Sequence, residues 1–444
     1  MKYKSFIGGV LCLMTVFTFC SCKTGTVKEE QLCKTKSLDM IADETVALDV
    51  VDGCTFSSSA PEIAKVSGNG TVTAVSEGET HIVVTKANAQ QKVKVCVSDP
   101  PIENFDIKNS AHINWCGRTI TDKTPNGKEC VMFPQSYSSF DVSFYGNKII
   151  ATIYCRVSSQ RTGQKTYFKI QTDARTRTVG LNDGINVVTL GDKLKNGKHR
   201  VIVTKLTEGR EAVAGLISLS GESANGDFKF VKPKERAKLK LEFYGDSLTV
   251  GHGVKGSNST SAFETKDEDP TLCYSGVATE LLNAEANFFA YSGMSLAIEG
   301  RYYPPLLLDT FDVVCNANYP DKKWDFSKYV ADVIIINIGA NDWSSIKYFY
   351  WDTKEEKIQI VKKAYVEFIN KIKSVNSTAK IVCVTDDYQI GKSIDDVIEA
   401  AAAETGVYTV SLYSNGLGSA AHPDAQAGEI AGKQLADFIK SILD

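Results

Sequence analysis

The C-terminal half of the chain alternates apolar strands with amphipathic helices, and this alternation constrains its fold more than any other feature. LKLEFYG, ANFFAYSG, ADVIIINIGA, AKIVCVTDD and GVYTVSLY are typical of buried strands, and helical spacing of apolar residues marks DPTLCYSGVATELLNA, EEKIQIVKKAYVEFINKIKSV, SIDDVIEAAAAET and AGEIAGKQLADFIKSIL. The pattern predicts an α/β/α domain with a doubly wound parallel sheet at residues 239–444. Ligands of such sheets bind beyond the carboxyl ends of the strands.

Two upstream segments consist of short strands and turns. Residues 38–98 end in a run with alternating apolar residues and a Gly-Asn-Gly turn, which predicts a small β-sandwich. An Asp-Pro-Pro linker follows, and hairpin signals then recur over residues 100–236, which predicts a second β-sandwich of the jelly-roll kind. A chain of 444 residues is long enough for three such domains.

The N-terminus is a targeting segment. Two lysines precede an apolar stretch from Phe6 to Phe19 and a Cys-Ser-Cys sequence, which predicts a signal peptide over residues 1–22. The stretch looks like a bacterial lipoprotein processing site with Cys22 as the acylated residue, and an ordinary secretory peptide is the alternative. We expect a secreted lipoprotein of the cell envelope, at the outer membrane or cell surface, whose residues 23–37 form a linker and whose lipid is its only membrane contact.

The net charge and the spacing of the cysteines argue against nucleic acid and metal ions as binding partners. A formal net charge of -3 with scattered Lys and Arg offers no field for nucleic acid. Nine cysteines follow Cys22 without CxxC grouping, several of them inside apolar strands, so free thiols explain most of them better than metal or a disulfide framework. One bridge among Cys33, Cys54 and Cys96 stays open. We expect no cofactor and no metal.

Four short motifs carry the chemistry. Ser247 in GDSLT sits at a strand-to-helix turn that would expose its hydroxyl, Gly293 in SGM lets the backbone approach a ligand, and Asn341 in GANDW follows the most apolar strand. His422 precedes the last helix. Taken singly, these residues also fit a structural turn or helix cap, a packing glycine, a loop cap and a surface histidine.

Elimination identifies the histidine. His81, His112 and His199 lie in the predicted β-domains, which leaves His252 and His422. His252 follows Ser247 by only five residues, so we expect it to line the pocket rather than act as the base.

The order GDSLT, SG, GANDW and HP resembles the four motif blocks of the SGNH (GDSL-type) hydrolase superfamily across residues 239–444. The resemblance implies that Ser247 is the nucleophile and His422 the general base. It also implies an oxyanion hole formed by the backbone N–H groups of Ser247 and Gly293 and by the side chain of Asn341.

A jelly roll immediately before such a domain resembles carbohydrate esterase family 2, whose members remove acetyl groups from xylan and mannan. The resemblance covers roughly residues 100–444 and implies an acetylated polysaccharide or oligosaccharide as the partner. Tyr302, Tyr303 and Trp343 are candidates for stacking on sugar rings, although single aromatics also fit core or rim packing. Further upstream, AKVSGNGTVTAVSEGETHIVV resembles the bacterial immunoglobulin-like group 2 repeat.

One position departs from the superfamily pattern. Many SGNH enzymes have Asp three residues before the histidine, and Ser419 stands there in this chain. Family 2 esterases include members with a Ser-His dyad in which a backbone carbonyl holds the imidazole. We consider three orienting groups, in this order: a carbonyl, the Ser419 hydroxyl, and Asp386 or Asp387.

The predicted function is therefore a serine acetylesterase acting on polysaccharide. An esterase for another acetylated glycan, such as peptidoglycan, or for small esters is an alternative within enzymes. A glycan-binding surface lipoprotein without activity is the alternative from another class.

Overall fold

The computed structural model describes residues 31–443, apart from Asn196, residues 300–302, Pro304, residues 387–391, Ser414 and the side chains of Asp386, Lys392 and Ser393. The predicted signal peptide, Cys22, Tyr302 and Asp387 lie outside the described residues, as does the Asp386 side chain. The described residues divide into two compact units, one within residues 1–99 and the other within residues 100–444. Within the described ranges, no helix combines the length and the apolar composition that crossing a membrane requires.

The first unit is rich in strands, as its alternating pattern predicts. Its strands are β1 Ser37–Ile41, β2 Thr45–Ala47, β3 Thr55–Ser58, β4 Ala64–Val66, β5 Thr71–Ala74, β6 Gly78–Lys86 and β7 Ala89–Ser98. One sheet has the order β1-β7-β6-β3 and the other β2-β5-β4. Alternate residues of β7, such as Val93 and Val95, are buried in the unit's core with Ile82 of β6.

The second unit begins with a half whose described elements are strands and one short 3-10 helix, Ser159–Arg161, which we call the strand-only half because its described residues form no α-helix. Its strands are β8 Asn114–Cys116, β9 Ile120–Lys123, β10 Glu129–Met132, β11 Ser139–Gly146, β12 Lys148–Val157, β13 Thr166–Thr172, β14 Arg175–Leu181, β15 Gly184–Gly191, β16 Gly197–Lys205, β17 Ala212–Glu222 and β18 Lys229–Val231. They form sheets of order β15-β12-β17-β10-β9 and β14-β13-β16-β11-β18, with β8 paired to β11. Residues of both sheets, including Phe140 and Ile153, share one core. The jelly-roll connectivity stays a prediction.

The other half of this unit contains the predicted alternation of strands and helices. Its elements are β19 Lys240–Gly245, α1 Ser247–Val250, α2 Tyr274–Leu281, β20 Glu285–Ala290, α3 Leu307–Thr310, β21 Val313–Cys315, β22 Tyr319–Lys323, β23 Val333–Asn337, α4 Ala340–Phe349, α5 Lys354–Val375, β24 Lys380–Asp386, α6 Lys392–Thr405, β25 Tyr408–Leu412 and α7 Ala425–Leu443. A parallel sheet of order β20-β19-β23-β24-β25 runs through it, and β21 pairs with β22.

Successive residues of β23 point to opposite faces of this sheet. Val333 and Ile335 pack in a core with α2 and α7, whereas Ile334 and Ile336 pack in a core with α5 and α6. Helices therefore cover both faces. The carboxyl ends of the strands are left to form a ligand site at one edge.

A buried arginine joins the two halves of this unit. Arg118, between β8 and β9, is 1% exposed. It donates to the carbonyls of Phe311 (2.6 Å) and Val313 (2.7 Å), to Glu242 Oε1 (3.1 Å) and to the Tyr244 hydroxyl (2.9 Å). Burial raises the pKa of the Glu242 carboxyl although Arg118 opposes the shift, so the ion pair does not fully offset desolvation.

Replacing Arg118 tests the importance of this contact. Arg118→Met leaves the Glu242 carboxylate buried without its partner, and we expect the free energy of unfolding to fall by about 3–5 kcal/mol in urea denaturation. The double variant Arg118→Met/Glu242→Leu should recover part of the loss, because it removes the uncompensated charge. Lys433→Met, which breaks an exposed pair with Asp437, is the control and should leave the transition unchanged. An Arg118→Met protein as stable as the wild type would contradict this account.

Candidate active site

A cavity of about 650 Å³ opens at the carboxyl edge of the parallel sheet. It is lined by Ser247 at the start of α1, Gly293 after β20, Asn341 in the first turn of α4 and His422 in the loop before α7. The four predicted motif blocks therefore meet in one place. They do so because three of them follow parallel strands that end at the same edge.

Ser247 and His422 are joined by a hydrogen bond. His422 Nε2 lies 2.8 Å from Ser247 Oγ, and His422 Nδ1 lies 2.9 Å from the carbonyl oxygen of Ala420. A carbonyl can only accept, so the proton resides on Nδ1 and Nε2 is left to accept from the serine hydroxyl. This is the tautomer that a general base for Ser247 needs.

The loop that presents this carbonyl has an unusual backbone. Ala420 (φ 52°) and Ala421 (φ 56°) both lie in the left-handed region, which costs about 1–3 kcal/mol for each non-glycine residue. Backbone bonds to the loop after α1 hold them there, with Ala420 N 3.0 Å from the Ser261 carbonyl and Ala421 N 3.0 Å from the Ser259 carbonyl. Tertiary contacts, not local preference, therefore create the carbonyl orientation.

Ser419 is not the orienting group. Its side chain is buried and its Oγ lies 3.4 Å from the carbonyl of Gly253, whereas His422 Nδ1 faces the Ala420 carbonyl. A Cβ at either Gly253 or Gly256 would collide with Ser419, so this residue packs the loop against its neighbour. Of the three predicted orienting groups, the structure places a carbonyl beside the ring, and the aspartate side chains lie outside the described residues.

The predicted oxyanion donors lie at the cavity wall, but one of them is already engaged. Gly293 adopts φ 83°, which suits glycine alone. The side-chain nitrogen of Asn341 lies 3.0 Å from the Met294 carbonyl and 3.2 Å from Asp246 Oδ2. Both amide hydrogens of Asn341 thus have acceptors, and donation to an oxyanion requires one of these bonds to be exchanged.

Asp246 and Asp342, which the motifs did not predict as functional residues, anchor the segments around Ser247. The Asp246 side chain caps α1 by accepting from the N–H of Leu248 (3.0 Å) and is 1% exposed. Asp342 accepts from three successive backbone N–H groups, those of residues 296–298, at 2.7–2.9 Å. Burial raises the pKa of Asp342 to about 6. Their positions inside GDS and GAND were the available signal.

His252 lines the cavity as predicted, and its ring faces Ser292, whereas the Ser247 hydroxyl faces the His422 ring. Its ring stacks on Phe263 with centroids 3.6 Å apart, and its Nδ1 lies 3.0 Å from Ser292 Oγ. Burial holds the pKa of His252 well below its usual value, so the ring is neutral. Burial also lowers the pKa of His422, and the bond to the Ala420 carbonyl partly opposes this shift.

Of the aromatic residues predicted to contact sugar, the structure places Trp343 at the cavity and Tyr303 in the core. Trp343 lines the cavity. Tyr303 is outside its described lining, because the side chain is 8% exposed and its ring stacks on Tyr291 at 5.7 Å between centroids. Tyr303 is a core residue, so its prediction as a sugar contact is wrong.

The strand-only half also contributes to the cavity, which the sequence did not indicate. Arg161, Arg210 and Glu211 line it. Arg161 pairs with Glu211, which is 1% exposed, at 2.5 Å and 3.2 Å. These residues lie in stretches that read as strand and turn only, and nothing local marks them as part of a site on another half of the molecule.

Comparisons with known proteins agree with this architecture. Residues 26–97 match the bacterial Ig-like domain (group 2). The chain is 28% identical over 334 residues to the cellulase/esterase CelE of Acetivibrio thermocellus, covering 72% of this chain and 38% of that protein. It is 25% identical over 225 residues to an acetylxylan esterase / glucomannan deacetylase of Cellvibrio japonicus, covering 48% of this chain and 60% of that one. The chain thus spans less than two thirds of either relative.

Among solved structures, a family two carbohydrate esterase from Clostridium thermocellum in complex with cellohexaose is 26% identical. Its TM-score is 0.64, and the match covers 74% of this chain and 99% of that one. An acetyl xylan esterase from Butyrivibrio proteoclasticus, 18% identical with a TM-score of 0.63, covers 76% of this chain and 96% of its own and shares the fold. The homologues and structural neighbours of this chain thus include carbohydrate esterases of family two, and its residues 26–97 match a bacterial Ig-like domain.

Proposed function

We propose that this protein is a carbohydrate O-acetyl esterase that removes acetyl groups from a xylan- or mannan-type polysaccharide with Ser247 as nucleophile. The observation that carries the proposal is the chain of hydrogen bonds from Ser247 Oγ through the His422 ring to the Ala420 carbonyl, at the wall of an open cavity. The named esterases among its relatives support it.

We propose a role for each residue of the site. His422 Nε2 takes the proton as Ser247 Oγ attacks the acetyl carbonyl, and the N–H groups of Ser247 and Gly293 stabilise the resulting oxyanion, joined by Asn341 when it exchanges a bond. His422 then returns the proton to the leaving sugar hydroxyl. A water molecule, activated by the same nitrogen, attacks the acetyl-serine, releases acetate and regenerates Ser247.

A carbonyl in place of a carboxylate changes the energetics of the base. It fixes the ring and the tautomer as an aspartate would, but it contributes a dipole rather than a full negative charge. The imidazolium that forms during attack is therefore less stabilised. This fits the lowered pKa of His422, which burial produces and the single carbonyl bond only partly opposes.

The substrate cleft has features suited to a sugar chain. Trp343 and Tyr348 line the cavity, and Tyr348 and Trp351 are 59% and 58% exposed. Exposed aromatic faces next to polar groups are suited to stacking on sugar rings. We propose an acetylated polysaccharide or oligosaccharide as the partner and neither a metal nor another cofactor in the reaction.

The remaining architecture and location are part of the proposal. Residues 100–236 would be a jelly roll carried before an α/β/α catalytic domain, and residues 38–98 an Ig-like spacer. A signal peptide and acylation at Cys22 would tether the protein to the cell envelope through its lipid alone.

Acetate release tests the proposed function. We expect release from acetylated xylan, acetylated glucomannan and 4-nitrophenyl acetate by the wild type, and none by Ser247→Ala, because no other described group is bonded to the base as a nucleophile. Acetylated peptidoglycan in the same panel tests the alternative substrate. Equal release by wild type and Ser247→Ala, or no release by either, would reject the mechanism.

Ser419→Ala tests the identity of the orienting group. The Ser419 hydroxyl bonds only weakly to Gly253, so kcat should stay within a few-fold of the wild type, whereas His422→Ala should lose about 10⁶-fold. Asp386→Asn and Asp387→Asn serve as further variants. A large loss of kcat in Ser419→Ala, Asp386→Asn or Asp387→Asn, with an unchanged unfolding transition, would contradict orientation by the Ala420 carbonyl.

The pH dependence follows from the environment of His422. A general base must be neutral, so kcat/KM should rise as the pH increases through the pKa of His422 in the free enzyme. Burial lowers this pKa below the ordinary value of about 6.5, so the midpoint of the acid limb should lie below pH 6.5. A neutral ester substrate keeps the profile free of substrate ionisation. A midpoint above pH 7 would show that the ring is stabilised in its charged form and would reject this assignment.

A further inference from the structure

All three polar groups of Ser292 are held by other segments of the chain. Its N–H donates to Glu208 Oε2 (2.8 Å), its carbonyl accepts from the Arg210 guanidinium, and its hydroxyl lies 3.0 Å from His252 Nδ1. Ser292 is also 5% exposed. Such complete anchoring of one residue is notable because Gly293, the next residue, carries a predicted oxyanion donor.

The contact with Arg210 controls the direction of that donor. The Ser292 carbonyl and the Gly293 N–H belong to one planar trans peptide unit, so they point in opposite directions. A guanidinium that holds the carbonyl on one side therefore aims the N–H to the other. Gly293, at φ 83°, has no side chain to resist a flip of this peptide, so the restraint must come from outside.

We propose that Glu208 and Arg210, from the strand-only half of the unit, are positioning residues that fix the Ser292–Gly293 peptide so that the Gly293 N–H faces the oxyanion. This proposal rests on the proposed function and deepens it. The strand-only half is then part of the catalytic machinery, since a flipped peptide would put a carbonyl oxygen where negative charge develops.

Both positioning residues are themselves fixed. The position of Glu208 is restrained, because its own N–H donates to Glu268 Oε2 (2.9 Å) and the carboxylates of Glu208 and Glu268 are both fully buried. The Arg210 guanidinium lies over the Tyr303 ring at 5.3 Å from the centroid, and its Nε is 3.8 Å from Glu211 Oε1. Tyr303, a core residue and not the predicted sugar contact, thus packs against the guanidinium that binds the Ser292 carbonyl.

The buried acids also raise the question of a bound cation. Glu208, His252 and Glu268 bring ligand-type atoms within 4.8 Å of one another, and one oxygen of each carboxylate has no hydrogen-bond partner among the described residues. A transition metal with bonds of about 2.0–2.2 Å needs a tighter cluster, and His252 Nδ1 already faces the Ser292 hydroxyl. Burial and the nearby Glu211 raise the pKa of Glu208 to about 7, so a proton offsets part of the buried charge. We assign the cluster to hydrogen bonding.

Arg210→Met is the central variant, because it removes the donor to Ser292 and keeps an apolar stem over Tyr303. We expect kcat for 4-nitrophenyl acetate to fall about 10- to 100-fold, since a misdirected donor weakens binding of the transition state. KM should change far less. Affinity for a small alkylboronic acid, whose serine adduct places an oxygen in the oxyanion hole, should fall in parallel with kcat.

Conservative replacements give the matched comparisons. Glu208→Gln keeps an oxygen that accepts from the Ser292 N–H and should retain most of kcat, whereas Glu208→Leu should lose it. Arg200→Met is the control, because Arg200 in the same half pairs with Asp141 and is not among the described cavity residues. If Arg210→Met does not fold, Arg210→Lys, which can still donate, should show a smaller loss of kcat and a correspondingly smaller fall in boronate affinity.

The outcomes separate this inference from the proposed function. If the wild type hydrolyses the ester and a folded Arg210→Met protein does so equally fast, the positioning role of Arg210 is wrong and the proposed esterase function stands. A lower kcat with unchanged boronate affinity would also overturn the positioning role, because the loss would then be structural. A stoichiometric divalent metal in the purified protein that Glu268→Gln releases would replace the hydrogen-bonded cluster with a metal site. A wild type that hydrolyses no ester would overturn both proposals.

Discussion

Charged side chains buried at the interface between the strand-only half and the parallel-sheet half determine how the second unit is assembled. Arg118 donates to Glu242 and Tyr244 at one point of this interface. At another, the Glu208 carboxylate accepts from the Ser292 N–H and the Glu268 carboxylate accepts from the Glu208 N–H. Burying such groups costs several kcal/mol unless each meets its partner, so the contacts tolerate only one relative placement of the two halves. The same contacts position part of the active site, because Glu208 and Arg210 bind Ser292, the residue before Gly293.

The second requirement is a histidine held without an acid. The Ala420 carbonyl takes the place of an aspartate only because two successive alanines adopt left-handed backbone angles, and the loop after α1 holds them there through Ser259 and Ser261. Strain of this kind persists where surrounding structure over-determines it, which is common at functional sites. Ser419 contributes by packing against Gly253 and Gly256, so its side chain stabilises the loop and leaves the ring to the backbone.

The sequence predicted those parts of the site that follow from a general rule of parallel sheets. Ser247, Gly293 and Asn341 follow strands, and parallel strands bring such positions together without further information. The orienting carbonyl was only one of three alternatives, because alanine has no preference that reveals φ 52°. Local patterns also could not reveal Glu208 and Arg210, since contacts between two halves depend on how they dock. Tyr303 was misassigned because an aromatic in a segment between strands looks the same in sequence whether it faces a cavity or a core.

The most direct test of the central claim is covalent labelling of the nucleophile. An alkyl fluorophosphonate reacts with a serine only when a base activates its hydroxyl and an oxyanion hole receives the phosphoryl oxygen. We expect one label per protein, located on the peptide that contains Ser247, with loss of esterase activity in proportion to labelling. The same label should form in Ser419→Ala and be absent in His422→Ala. Full esterase activity in completely labelled protein, or inactivation with the label on another residue, would contradict the assignment of Ser247 and His422.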